Sequence, residues 1–300
     1  MKIAFVGLGQ MGKPMALNLR KSGAEIIVSS RSDRSYVEMR ENGTRPTGDM
    51  NEVAAADVIF TCLPGTESVR AYLLGDDGLL SKLRAGQTVI DTSTISYSAA
   101  LEIAKQLEAK GVDFLDAPIS GMEKRAIDGT LTIMCGGKRE VFDAVKPILE
   151  TMGNNILYMG GTGAGQLTKM INNLLFDINC AALAEIMPVA TKLGLDSETM
   201  ANVVNSGTGR SYASEFFLPR ILKNGFSAGY PMQDAYKDLV NGAELGVNLG
   251  VPMPVLAAAT ATYQTALLKG HGAKDKGAMI LVFEELLGVA FREAAAGSKK

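Results

Sequence analysis

The first half of the chain alternates short apolar runs with longer amphipathic stretches. Apolar runs at 2–6, 25–29, 58–62, 88–91, 112–115, 131–135 and 156–158 predict strands. The segments between them, such as 98–110 and 139–150, carry apolar residues at helical spacing. Strands alternating with helices imply an α/β domain with a mainly parallel sheet covered on both faces. After Gly160-Gly161-Thr162-Gly163 the pattern changes. A helical stripe runs from Ala164 to about Leu193. Beyond it no strand is predicted, only helices interrupted at Gly207, Gly225, Gly229, Pro231 and Gly250-Val251-Pro252. The pattern implies two domains, an α/β domain over 1–162 and an all-helical one over 163–300, with residues 294–300 expected to fray.

Composition removes several function classes. Three hundred residues give each domain room for a core. A net charge of −2 and a pI of about 5.7 leave no basic footprint for nucleic acid. No eighteen-residue apolar run is free of charge and the chain opens on a strand, so no membrane partner is expected. Cys62, Cys135 and Cys180 lack metal-ligand spacing; they read as buried thiols of a reducing cytoplasm, with no metal expected. The single histidine, His271, lies between two glycines in an expected exposed loop, which argues against histidine acid–base chemistry.

Candidate chemistry begins where the first strand ends, at Gly7-Leu8-Gly9-Gln10-Met11-Gly12. Strand before and helix after make this a dinucleotide-binding turn of the Rossmann type. Gly7 permits the turn, Gly9 lets a pyrophosphate approach the backbone, and Gly12 lets the helix pack on the strand. The helix that follows carries Met11, Met15, Ala16, Leu17 and Leu19 on its apolar stripe, with Lys13, Asn18 and Arg20 between them. The second strand ends in Ser29-Ser30-Arg31-Ser32, with no carboxylate at its tip; Asp33 follows two residues after Arg31. A carboxylate there holds the ribose hydroxyls of NAD, whereas a guanidinium holds the 2′-phosphate of NADP. NADP is therefore expected over NAD, with Ser30, Arg31 and Ser32 as its contacts.

Reduction of a carbonyl by a nicotinamide needs a proton donor that the cofactor does not bring. Lys169 and Asn173 are four residues apart on the predicted long helix and share one face, which also carries Gln166 and Asp177. Two further clusters are Tyr236-Lys237-Asp238-Leu239 and Asp116-Ala117-Pro118-Ile119-Ser120-Gly121, the latter read as a strand end entering a turn. Each alone also fits a cap, a turn or a surface lysine.

In this order, over nearly the whole chain, these segments resemble the β-hydroxyacid dehydrogenases, the 3-hydroxyisobutyrate dehydrogenase family. The glycine turn resembles its cofactor signature, 116–121 with Asp128-Gly129-Thr130-Leu131-Thr132 its substrate loop, Gly163 to Asn173 its catalytic helix, and Lys237-Asp238-Leu239 its C-terminal cofactor contact. The resemblance implies that Lys169 is the proton donor and acceptor, with Asn173 orienting the substrate. Ser120 and the backbone at Gly121 and Met122 would hold a substrate carboxylate. Leu63, Pro64 and Thr94 would line the cofactor path, and Lys237 would close over the cofactor. The implied substrate is a small β-hydroxyacid, its semialdehyde, or a 2-oxoacid such as glyoxylate, in a homodimer or homotetramer.

Two positions depart from the family pattern. Met122 stands where the family's Ser-Gly-Gly loop has glycine, and a side chain there is expected to narrow the pocket or shift its backbone. Arg210, in Ser206-Gly207-Thr208-Gly209-Arg210-Ser211, stands where relatives contact substrate and reads either as a ligand for a distal carboxylate or as a salt-bridge residue. Competing readings are an imine reductase, whose members usually replace the lysine retained here as Lys169, and a non-catalytic NADP-binding scaffold.

Overall fold

The computed structural model describes residues 1–293; the tail expected to fray, 294–300, lies outside the described residues. Two compact units divide at Lys169 and Met170. The first contains β1 (Lys2–Val6), α1 (Gly12–Asn18), β2 (Glu25–Ser29), α2 (Tyr36–Glu41), β3 (Arg45–Pro46), α3 (Met50–Ala54), β4 (Val58–Thr61), α4 (Thr66–Leu74) and α5 (Leu79–Lys82). It continues through β5 (Thr88–Asp91), α6 (Tyr97–Glu108), β6 (Asp113–Asp116), β7 (Ile119–Ser120), α7 (Met122–Asp128), β8 (Leu131–Gly137), α8 (Arg139–Leu149) and β9 (Gly153–Gly160).

One sheet runs in the order β3-β2-β1-β4-β5-β6-β8-β7, with β9 also paired to β8. The strands from β3 to β6 are parallel, β8 is antiparallel to β6 and β7, and β9 is parallel to β8. Alternation along β1 sends Ile3 and Phe5 into one apolar layer and Ala4 and Val6 into the other, so both faces of the sheet are covered. The strand order reverses between β1 and β4, and Val6 lies level with both Ser29 and Thr61. The glycine turn after β1 therefore opens at the carboxyl ends of the strands, at the switch point where such sheets bind ligands. All seven expected strands are present, with ends shifted by a few residues. The two-residue strands β3 and β7 were not expected, because two residues carry no periodicity. β7 places Ser120 in register with Thr132, so the segment read as a turn is in part a strand.

The second unit is helical: the remainder of α9 (Ala164–Lys192), then α10 (Ser197–Ser206), α11 (Tyr212–Leu222), α12 (Met232–Leu249), α13 (Pro254–Leu268) and α14 (Ile280–Leu287). The breaks after α10, α11 and α12 fall at the glycine and proline positions read from the sequence, whereas the break between α13 and α14 was not read there. Met187, Phe217, Leu218, Tyr263 and Met279 lie in its core. By length and composition alone, α9 is apolar enough to cross a bilayer, a test that a core helix also passes. It carries a buried charge: Asp177 accepts from the Tyr263 hydroxyl at 2.9 Å and pairs with the Lys276 ammonium, itself over the Phe176 ring. Cys135 and Cys180 are buried and Cys62 partly so; none forms a disulfide, and burial pushes the Cys62 thiol up to about 11. His271 is half-buried in its loop rather than exposed.

Candidate active site

The glycine turn is held by contacts that only glycine permits. Gly7 has φ +100°, and a Cβ there would lie 2.2 Å from the Cys62 carbonyl oxygen. A Cβ on Gly12 would lie 1.9 Å from the Gly7 carbonyl oxygen, so α1 is pressed against the turn. Gly9 differs: it is exposed, and nothing lies within 4 Å of the Cβ position. That open space beside bare backbone is what a pyrophosphate needs, so these residues fit a dinucleotide. Leu8 is buried, Met11 half-buried and Gln10 exposed.

At the adenosine end, the Tyr36 hydroxyl accepts from the Ser30 amide at 3.1 Å and donates to the Thr47 carbonyl at 2.7 Å, which fixes the tip of β2. Arg31 and Ser32 are exposed there. The Ser32 hydroxyl accepts from the Arg34 amide at 3.4 Å and caps the short turn that contains Asp33. Along the expected cofactor path, Leu63 and Thr94 are half-buried and Pro64 is exposed. The Leu63 amide donates to the Ser93 hydroxyl at 2.8 Å, and the Asp91 carboxylate accepts from Thr61 at 2.7 Å and from the Ser93 amide at 3.1 Å. The second Asp91 oxygen has no partner, and burial raises that carboxyl's pKa.

Helix α9 starts at the end of β6. Asp116, fully buried, accepts from the Gly163 amide at 2.7 Å with one oxygen and from the Gln166 amide at 2.8 Å with the other. Burial pushes its pKa up to about 6, against the opposing pull of those two amides. Lys169 follows one turn later, half-buried, and Asn173 one turn beyond it. Asn173 donates to Asp238 on α12 at 2.8 Å; Lys237, beside it, is half-buried. Arg210 is exposed and pairs with Glu215 at 3.0 Å. An exposed pair of this kind contributes little, so its guanidinium can exchange partners.

The segment that follows β7 carries strain. Gly121 has φ +142°, and Met122, which opens α7, has φ +61°, in the left-handed region that favours glycine. The backbone thus keeps the path a glycine would take, and the side chain is added to it, 43% exposed. Met122→Gly is expected to raise stability by about 1 kcal/mol, roughly 2 °C in thermal midpoint for a chain of this size. Thermal denaturation checks this; a lower midpoint would mean that the side chain's contacts outweigh the strain.

Two links from the glycine turn and its helix α1 to α7 were not visible in the sequence. Asn18, read as part of the polar face of α1, is buried and donates to the Ala126 carbonyl at 2.7 Å, closing the end of α7. Gln10 donates to Glu123 at 2.8 Å. Both bonds span more than a hundred residues, a separation that local pattern does not reveal.

Residues 2–160 match the family described as the NAD binding domain of 6-phosphogluconate dehydrogenase. Residues 163–283 match the NAD-binding family of NADP-dependent 3-hydroxyisobutyrate dehydrogenase. The 2-(hydroxymethyl)glutarate dehydrogenase of Eubacterium barkeri is 40% identical over 96% of this chain and 96% of its own. The 2-hydroxy-3-oxopropionate reductase of Escherichia coli is 33% identical over 95% and 97%. The solved structure of Mycobacterium tuberculosis 3-hydroxyisobutyrate dehydrogenase with L-serine has a TM-score of 0.84 at 32% identity, covering 94% of this chain and 98% of that one. Psf3, solved with NADP+ and 2-OPP, has a TM-score of 0.81 at 28% identity, covering 93% and 99%. With its glycine turn, parallel sheet and helical second unit, the chain belongs to the β-hydroxyacid dehydrogenase family of nicotinamide-dinucleotide oxidoreductases, the 3-hydroxyisobutyrate dehydrogenases among them.

Proposed function

We propose that the chain interconverts a small β-hydroxyacid and its semialdehyde, or a 2-oxoacid such as glyoxylate and its hydroxyacid, with NADP(H). The observation that carries this reading is α9: Lys169 and Asn173 lie one turn apart on a helix whose start is held by Asp116, four residues before Ser120 in the chain. A bound nicotinamide supplies the hydride to the carbonyl carbon, or accepts it in the reverse direction. Lys169 Nζ gives a proton to the carbonyl oxygen as it becomes a hydroxyl, and takes it back in oxidation. The Ser120 hydroxyl and the amides of Gly121 and Met122 hold the substrate carboxylate. Asn173 donates to Asp238 at 2.8 Å and its carbonyl oxygen accepts from the Asn172 side-chain amide at 3.4 Å; exchanging that long, exposed bond lets the oxygen accept from the substrate hydroxyl. Lys237 supplies a cation to the cofactor.

The cofactor preference rests on Arg31, exposed between two serines with no carboxylate at the strand tip. A bidentate contact to the 2′-phosphate is expected to favour NADPH over NADH by about tenfold or more in KM. Arg31→Ala is expected to narrow that ratio; a native preference for NADH would contradict the assignment. The relative solved with NADP+ is consistent with this choice.

Two features bear on the acid. Met122 adds bulk two residues after Ser120, which in this reading favours short substrates. Arg210, in an exposed pair with Glu215, is available to a distal carboxylate such as the one in the substrate that names the Eubacterium barkeri relative.

A homodimer or homotetramer fits the outer face of α9. Ile171, Leu175, Ile186 and Val189 are 50%, 60%, 60% and 40% exposed along it. Ile178 on the same helix helps line an apolar hollow of about 230 Å³ with Met253 and Leu256. An apolar stripe of this length suits a second copy of the chain. Sedimentation velocity reads the outcome, and a monomer at micromolar concentration would contradict it.

A further inference from the structure

We propose that Gln166 is a positioning residue: it locks the loop carrying Thr94 to the helix carrying Lys169, with Asp116 as its anchor. The proposal rests on the reading of Lys169 as proton donor and names a second residue that this reading requires.

Gln166 lies on α9 one turn before Lys169 and is 2% exposed. Its Nε2 donates to the Ser93 carbonyl at 2.7 Å and its Oε1 accepts from the Ile95 amide at 3.1 Å. These partners flank Thr94 on either side. A flipped amide would set N–H against N–H and oxygen against oxygen, so the two contacts admit a single orientation.

The other end of the connection is equally fixed. Ser93 is held through its amide by Asp91 and through its hydroxyl by Leu63. Gln166 is thus the last link in a buried polar chain running from the end of β4, across the end of β5, to α9. Asp116 stops the helix from turning by holding the Gly163 and Gln166 amides. Two glycines allow the seat to be this close. A Cβ on Gly165 would lie 2.3 Å from the Met134 carbonyl oxygen, and one on Gly136 would lie 2.6 Å from an Asp116 carboxylate oxygen.

Burying an amide side chain this deeply is costly unless every bond is made, and an apolar residue of the same volume avoids that cost. What the glutamine adds is definition: one rotation and one height for the helix relative to the loop. Catalysis is sensitive to displacements of about 1 Å, which can cost about a hundredfold in rate.

The test uses the full chain and two variants. The assay is NADP-dependent oxidation of 3-hydroxyisobutyrate or 2-(hydroxymethyl)glutarate, whichever the wild type turns over faster. Gln166→Met keeps the volume and removes both bonds. Its Ile95 amide is expected to exchange with solvent about tenfold faster or more in the cofactor-free protein. Its kcat is expected to fall about tenfold or more, with the NADPH Kd unchanged within about twofold. Gln166→Glu separates geometry from packing. When protonated, its carboxyl can donate to Ser93 and accept from Ile95; when ionised, it cannot donate. Its turnover relative to wild type should therefore recover as the pH falls from about 8 to about 5.5. A folded Gln166→Met protein with faster Ile95 exchange and unchanged kcat overturns the proposal. So does a Gln166→Glu protein whose pH profile matches wild type, and this arm decides alone if the methionine variant does not fold. Turnover that survives Lys169→Ala would instead overturn the reading of Lys169, leaving the Ile95 exchange result standing.

Discussion

Replacing Lys169 by alanine is expected to lower kcat by about a thousandfold while leaving cofactor affinity within about twofold. Hydride arriving at a carbonyl carbon leaves negative charge on the oxygen, and the neutral product requires a proton at that atom. In the proposed reaction that proton comes from Lys169, on a helix whose start is fixed by two buried side chains, Asp116 and Gln166. Neither the glycine turn nor the Ser30–Ser32 tip involves Lys169, so binding of the dinucleotide should not depend on it. Stopped-flow hydride transfer and fluorescence titration with NADPH separate the two quantities. A folded variant that keeps most of its turnover would place the proton donor elsewhere; one that loses cofactor binding would make Lys169 a binding residue.

The second large effect divides the glycines by role. Gly12→Ala is expected to destabilise the first unit by about 2–3 kcal/mol and to abolish cofactor binding, because its Cβ would lie 1.9 Å from backbone oxygen and 3.0 Å from the Phe5 ring. Neither neighbour can give way without moving β1 or the turn. Gly9→Ala has open space around it and should change stability by no more than about 0.5 kcal/mol. Yet the added methyl group occupies the surface that the pyrophosphate approaches, so NADPH binding should weaken about tenfold or more. Denaturation midpoints and NADPH titrations of the two variants read this directly. Equal damage to stability from both would mean that the turn is shaped by packing alone, and unaltered NADPH binding by Gly9→Ala would place the phosphates elsewhere.

Much of this organisation can be read along the chain, and the parts that cannot share a physical cause. The seven longer strands and α9 declare themselves because each carries enough residues for its periodicity to show. β3 and β7 do not, at two residues each. The glycine turn is legible because its chemistry is local: strand, tight turn and helix are contiguous. The network around α9 is not. Asp91, Ser93, Asp116 and Gln166 are ordinary polar residues in the sequence, and only the sheet, by setting the ends of β5 and β6 side by side, makes them partners. Asn18 shows the same limit, since its polar side chain faces inward to close a helix more than a hundred residues away. At Met122 the departure from glycine is visible in the sequence, whereas its left-handed backbone, with the strain that brings, is visible only in the fold.

The central claim, that this chain moves a hydride between NADP(H) and a small carboxylate-bearing carbonyl while Lys169 exchanges the proton, is tested most directly by one measurement. It is NADPH depletion by the wild type and Lys169→Ala proteins, side by side, over a panel of small semialdehydes and 2-oxoacids, with the matching hydroxyacids run in reverse. The account predicts rapid turnover of at least one semialdehyde or 2-oxoacid by the wild type, and near-complete loss in the variant. Tight NADPH binding with no turnover across the panel, or equal turnover by both proteins, would contradict it.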